Sequence, residues 1–222
     1  MTDILVQTDE YVTLVGAGPV SKGQLGLATD HAPCVIAADG GAQMLRNYGM
    51  APEKVIGDLD SIDKRILEKI PASAVHRVHE QDSTDFEKCL ARIRAPLILG
   101  LGFLGRRLDH QLAALNALVR NPGGPCILIG SHDIVFHAGT EIALTLRRGS
   151  RVSIFPMAPV RGWSQGLAWP LDGLDLAPGG RIGTSNRVVE GPLRLGFERP
   201  GALVMLPRAA LGAAVRALGG RA

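Results

Sequence analysis

From Tyr11 to Ile129 the chain alternates short apolar runs with segments of helical spacing. Tyr11-Val12-Thr13-Leu14-Val15, Cys34-Val35-Ile36-Ala37-Ala38, Val55-Ile56, Val75–Val78 and Pro96-Leu97-Ile98-Leu99 are strand-like runs, with Cys126–Ile129 and Ile134–Phe136 following. Helical patterns fall between them, near 21–29, 43–48, 62–70, 84–94 and 105–120. This alternation predicts a parallel or mostly parallel α/β sheet. Near residue 138 the rhythm changes. Ile142–Leu146, Arg151–Phe155, Gly166–Trp169, Arg181-Ile182, Leu193–Leu195 and Leu203–Leu206 are short strands split by Gly, Pro and Asp, and a helix returns only at Ala209–Leu218. The spacing predicts an all-β sandwich or barrel. The expected organisation is a Rossmann-like, three-layer α/β domain over residues 1–137 and a β domain over residues 138–222.

Charge follows the same division. Residues 1–137 carry 13 Lys+Arg against 16 Asp+Glu, and residues 138–222 carry 11 Arg against 5 acidic groups, which together give the net +3. The arginines of the second half stand singly among apolar and glycine residues, with Phe155, Phe197, Trp163 and Trp169 as its large aromatics. Nucleic-acid binding needs basic side chains clustered on one face, so it is not expected. No apolar run reaches the roughly 18 residues of a membrane span, so no membrane partner is expected either. Met1-Thr2-Asp3 opens no secretory pattern. Cys34, Cys89 and Cys126 are far apart in apolar surroundings and read as reduced thiols of a cytoplasmic protein.

In an open α/β sheet, ligands bind beyond the carboxyl ends of the strands. The polar clusters lie there. Asp39-Gly40-Gly41 follows the second strand. Its glycines let backbone N–H groups approach a phosphate or ribose, although an ordinary turn capped by Asp would use the same residues. Gly57-Asp58-Leu59-Asp60-Ser61 follows the third strand. Two carboxylates at i and i+2 in extended chain share a side and repel unless solvated, paired or bound to a cation, and oxygen-only donors suit Mg2+. Gln81-Asp82-Ser83-Thr84-Asp85 follows the fourth. Thr84 and Glu87 form a capping box, Asp85 in the first helical turn is a further candidate ligand, and Lys88 lies one turn on, where it would reach a phosphate or remain a surface lysine. Arg107 and Asp109 follow the fifth strand as a phosphate clamp with an orienting or basic carboxylate, or simply as an ion pair at a helix start. Gly16-Ala17-Gly18-Pro19 lacks the third glycine of a dinucleotide fingerprint and reads as a tight strand-to-helix turn.

Asp39-Gly40-Gly41-Ala42, Gly57-Asp58-Leu59-Asp60-Ser61, Gln81-Asp82-Ser83-Thr84-Asp85-Phe86-Glu87-Lys88-Cys89-Leu90, Gly105-Arg106-Arg107-Leu108-Asp109-His110 and Gly183-Thr184-Ser185-Asn186, in this order, resemble the motif set of the thiamine pyrophosphokinases (thiamine diphosphokinases). The resemblance implies a homodimeric enzyme, an α/β nucleotide domain and a β-sandwich. It implies Mg2+-dependent transfer of a diphosphoryl group from ATP to the thiamine hydroxyl, with AMP released. Asp58, Asp60 and Asp85 match its metal site. Asp39, Gly40, Gly41, Gln81, Thr84 and Lys88 match nucleotide contacts. Arg107 and Asp109 match the reacting centre, and Ser185 and Asn186 match the thiamine pocket, contributed across the dimer. Two departures stand out. Where some members place an aromatic soon after Ser–Asn, this chain reads Arg187-Val188-Val189-Glu190, leaving Trp163 and Trp169 as candidate substitutes, and Arg106 replaces a frequent glycine. The rival readings are a Mg2+-dependent phosphohydrolase on the same carboxylates and a non-catalytic nucleotide sensor.

Overall fold

The computed structural model describes residues 3–105, 107–121 and 123–220, so Arg106 lies outside the described residues. The chain is a sheet-rich mixture of α and β and divides into two compact units between Ser131 and His132.

The first unit runs β1 (Val6–Gln7), β2 (Val12–Val15), α1 (Lys22–Thr29), β3 (Cys34–Ala38), α2 (Gly41–Asn47), β4 (Lys54–Gly57), α3 (Lys64–Leu67), β5 (Val75–Arg77), α4 (Asp85–Arg92), β6 (Ile93–Arg94), β7 (Ile98–Leu101), α5 (Leu108–Arg120) and β8 (Cys126–Ile129). Six of these strands pair in parallel in the order β8-β7-β2-β3-β4-β5, and β1 pairs with β6 alongside. Every residue of β2, β3, β7 and β8 is buried. Continuous apolar runs suit strands covered on both faces, and Thr13, the polar member of β2, satisfies its hydroxyl on the Ala32 carbonyl at 2.6 Å. Ser21 caps α1 and Thr84 caps α4 in reciprocal capping boxes, with Gln24 and Glu87 reaching back to the cap N–H groups. The helix expected over 62–70 contracts to the single turn of α3. Beyond it Lys69 and Ile70 donate to carbonyls three residues back, which tightens the chain ahead of Pro71.

The second unit runs β9 (Asp133–His137), β10 (Glu141–Leu144), β11 (Arg151–Pro156), β12 (Val160–Gln165), β13 (Leu174–Leu176), β14 (Gly183–Arg187), β15 (Leu193–Phe197), β16 (Ala202–Pro207) and α6 (Leu211–Leu218). Its strands are antiparallel, in the orders β14-β11-β16-β9 and β10-β15-β12-β13. The division falls six residues before the expected one, and β9, just after it, pairs with β16 from His137↔Leu203 to Asp133↔Pro207. The strand expected at Gly166–Trp169 is absent. That stretch makes one isolated bridge, Leu167 to Val188, and the pairing partners of β15 and β13 lie just upstream in β12. The sequence hides β12 because Gly162 interrupts it. There a Cβ would stand 3.1 Å from the Phe197 ring, so any side chain would have to displace that ring slightly. Among the described residues no helix is long and apolar enough to cross a membrane.

Candidate active site

The ends of β3 and β4 are locked together by their loops. Asp39 has φ +43° and Leu59 φ +66°, left-handed conformations that cost energy for residues with a Cβ. The surrounding bonds hold them there. The Asp39 N–H donates to the Ile56 carbonyl at 2.9 Å, and the Leu59 N–H donates to Asp39 Oδ1 at 2.9 Å. Gly57 permits the approach, since a Cβ on it would lie 2.8 Å from the Asp39 Cβ. Gly41 is more restricted still. A Cβ there would meet the Val15 carbonyl oxygen at 1.8 Å, so only glycine lets α2 begin against the end of β2.

This lock brings together Asp39, Asp58 and Asp60, each with a carboxylate oxygen within 4.8 Å of the others. Asp39 is buried, Asp58 half-buried and Asp60 exposed. Burial raises the Asp39 carboxyl above its ordinary range, a rise that hydrogen bonds from Ser61 and the Gly40 N–H resist. A hydrogen bond from Lys88 holds Asp58 below its ordinary range. Asp85, at the first turn of α4, is raised by burial and by the charge of Asp39 while Lys88 pulls it down. Lys88 is buried, with its ammonium 3.0 Å from Asp58 Oδ2 and 3.3 Å from Asp85 Oδ1. Burial disfavours its charge, and these two carboxylates outweigh that effect, so its pKa is raised.

A cleft of about 230 Å³ opens beside the cluster, lined by Asp39, Ser61, Thr84, Asp85 and Arg107 among others. Thr84 thus both caps α4 and faces the cleft. Arg107 and Asp109 form an exposed ion pair, Nε to Oδ1 3.1 Å, in which Arg107 lowers the Asp109 carboxyl. Gln81 is exposed and is not one of the cleft's lining residues. Sequence reasoning passed over the opposite wall. Gly16, Ala17 and Gly18 face the cleft together with Gly102, Phe103, Leu104 and His110. The Gly16 and Gly18 N–H groups donate to the Leu101 and Gly102 carbonyls at 2.8 and 2.9 Å, so the tight turn read from the sequence also forms a wall. Phe103 stands 4.4 Å from the Phe86 ring, and only the glycines flanking it hinted at a special loop.

In the second unit, Ser185 has φ +59° and its N–H donates to Ser153 Oγ at 3.0 Å. Asn186 is buried and clamps the Trp169 backbone, with Nδ2 donating to its carbonyl at 2.6 Å and Oδ1 accepting from its N–H at 3.2 Å. The Arg187 guanidinium lies 5.4 Å from the centroid of the Trp169 ring, whose outer surface is exposed. The other tryptophan is placed differently: its ring lies so close over β15 that a Cβ on Gly196 would stand 2.2 Å from it.

Residues 25–128 match the family model "Thiamin pyrophosphokinase, catalytic domain", and residues 139–200 match "Thiamin pyrophosphokinase, vitamin B1 binding domain". Thiamine pyrophosphokinase 1 of Oryza sativa subsp. japonica is 30% identical over 192 residues, covering 75% of this chain and 69% of its own. The chain belongs to the thiamin pyrophosphokinase family. Thiamine pyrophosphokinase 2 of Arabidopsis thaliana, another relative, is 28% identical over 206 residues, 74% of each chain. Solved family structures share the fold. Thiamin pyrophosphokinase from Candida albicans superposes with a TM-score of 0.73 at 16% identity, covering 91% of this chain and 92% of its own. That from Geobacillus thermodenitrificans gives 0.73 at 21% identity, covering 89% and 96%.

Proposed function

We propose that this thiamin pyrophosphokinase family member transfers the terminal diphosphoryl group of ATP to the hydroxyl of thiamine, releasing AMP. The observation that carries the reading is the Asp39–Asp58–Asp60 cluster beside a cleft, within a chain matched by both family domains. We read the first unit as a Rossmann-like three-layer domain, the second as a β-sandwich, and the working enzyme as a cytoplasmic homodimer.

The donor set fits Mg2+. Asp58 and Asp60, clustered with Asp39, would hold it, with Asp85 at the first turn of α4 as the further candidate ligand, and all offer carboxylate oxygens, which a hard cation prefers. When bound, the ion neutralises phosphate charge. The remaining work falls to the chain itself. Gly41 lets α2 start tight against the end of β2, and Thr84 with the Phe86 and Phe103 rings lines the nucleotide side of the cleft; Gln81, matched to the nucleotide by the resemblance, stands outside that lining. The thiamine oxygen attacks the β-phosphorus in line. The new O–P bond forms as the bond to the bridging oxygen of AMP breaks, that oxygen keeps the electron pair, and the hydroxyl proton passes to solvent water. Arg107 neutralises the migrating group. Asp109, paired with the Arg107 guanidinium at 3.1 Å, aims it. Loose phosphoryl-type transition states ask little of a base. On the acceptor side, Ser185 presents its hydroxyl, Asn186 clamps the backbone that carries Trp169, and Trp169 supplies the aromatic face that the segment after Asn186 lacks.

The test is incubation of the full chain with ATP, Mg2+ and thiamine, followed by chromatography for AMP and thiamine diphosphate. Both products are expected, each dependent on thiamine. ATP hydrolysis at the same rate without thiamine would sink the transfer reading in favour of a phosphohydrolase, and saturable ATP binding with no AMP would leave a sensor.

A further inference from the structure

Lys88 is charged, buried and not yet accounted for by the chemistry. Its side chain is 3% exposed, too enclosed for an ordinary phosphate-reaching lysine, and its ammonium touches two carboxylates from different elements. Asp58 sits on the loop after β4, and Asp85 opens α4. One cation therefore ties the loop to the helix. An ammonium brings three donors and no acceptor, so its orientation is set by the acceptors around it. Asp39 and Asp60 stand in the same cluster. A fixed positive charge at such a site weakens its attraction for a second cation and strengthens it for a polyanion, through the same Coulomb field. In a partly desolvated site that field is little screened by salt.

We infer that Lys88 is a positioning residue that holds Asp58 and Asp85 in place of a metal, keeping the cluster's affinity for a free divalent cation low, so that the cation is taken up together with the triphosphate. The inference rests on the diphosphotransferase reading for the identity of the polyanion, but its first measurement needs neither nucleotide nor turnover. Purified full-length chain is titrated with Mn2+ alone, and free Mn2+ is followed by electron paramagnetic resonance. Lys88→Met keeps the length of the side chain and removes the charge, so it is expected to bind Mn2+ roughly tenfold or more tightly than the parent. Lys88→Arg keeps the charge and is expected to stay near the parent. With a non-hydrolysable ATP analogue present the order reverses, and Lys88→Met binds the Mn2+–analogue complex more weakly. Loss of structure alone does not tighten metal binding, so the direction of change separates positioning from stability.

A folded Lys88→Met that binds free Mn2+ no more tightly than the parent overturns the inference. If that variant does not fold, the parent decides. Its Mn2+ affinity is expected to rise about tenfold or more when the analogue is added, and equal affinity with and without it overturns the inference. Absence of AMP in the thiamine assay would instead sink the transfer reaction and leave the Mn2+ result standing.

Discussion

The two units expose their candidate residues by opposite means. In the first, the strands are parallel and mostly buried, and the candidate carboxylates stand where they end, on the loops carrying Asp39 and Asp58 to Ser61. In the second, Ser185 and Asn186 lie within a strand. Asn186 pairs with Val152 and Gly183 with Ile154, so Thr184 and Ser185 together face Ser153. That extra residue is a bulge, and it turns Ser185 to φ +59°. A parallel sheet gathers polar side chains by directing every strand end the same way. An antiparallel sheet has no such common end, and its candidate residues stand where the register breaks.

The comparison is tested most severely at the first unit's carboxylates. Asp58→Asn should lower kcat/KM by roughly a thousandfold or more, with the circular dichroism spectrum unchanged. A loss under about tenfold would remove the strand-end cluster from the chemistry. Next comes Gly41→Ala, whose methyl would drive into the Val15 carbonyl at 1.8 Å. A cost of about 3 kcal/mol or more in urea unfolding is expected. Gly23→Ala in α1 meets nothing within 4 Å and should be neutral or stabilise by up to about 1 kcal/mol. Equal effects at the two glycines would mean that the β2–α2 contact tolerates a methyl group. In the second unit, Trp169→Ala should raise the KM for thiamine about tenfold and leave the KM for ATP within about twofold, as loss of an aromatic face predicts. Trp163→Ala, by contrast, should act through stability.

The smallest effect is a pH dependence in the second unit. His137 is half-buried, burial holds its imidazole below the ordinary value, and its Nε2 accepts from the Gly201 N–H at 3.1 Å. The fold therefore favours the neutral ring. Its contribution is present above the ordinary pKa of about 6.5 and is lost as pH falls below that toward the folded value. The thermal midpoint should decline between about pH 7 and 5, and His137→Gln should flatten that decline. An unchanged slope would mean that His137 is not the titrating group.

Much of this was legible in the chain itself. The apolar runs of β2, β3, β4 and β7 report their burial directly, and each polar cluster stands where its run stops. Capping chemistry marked Thr84 as a helix start, whereas the matching box at Ser21 emerged only with the structure. Gly162 concealed β12, because a strand held by cross-strand packing on Phe197 carries no local β signal. Phe103 as a cleft wall was equally silent, since its place depends on the register between β7 and β2 rather than on its neighbours in sequence.

The sequence by itself determined the alternation of elements, the ordered motifs and the family to which they belong, because periodicity and capping are set by residues within one or two turns of each other. The tertiary structure alone decided that Lys88 faces Asp58 rather than solvent, that Asp39 holds the backbone of Leu59, and that Trp169 rather than Trp163 stands at Asn186. Those partners lie 30, 20 and 17 residues apart along the chain. Only the closing of the sheets and loops brings them within hydrogen-bonding distance.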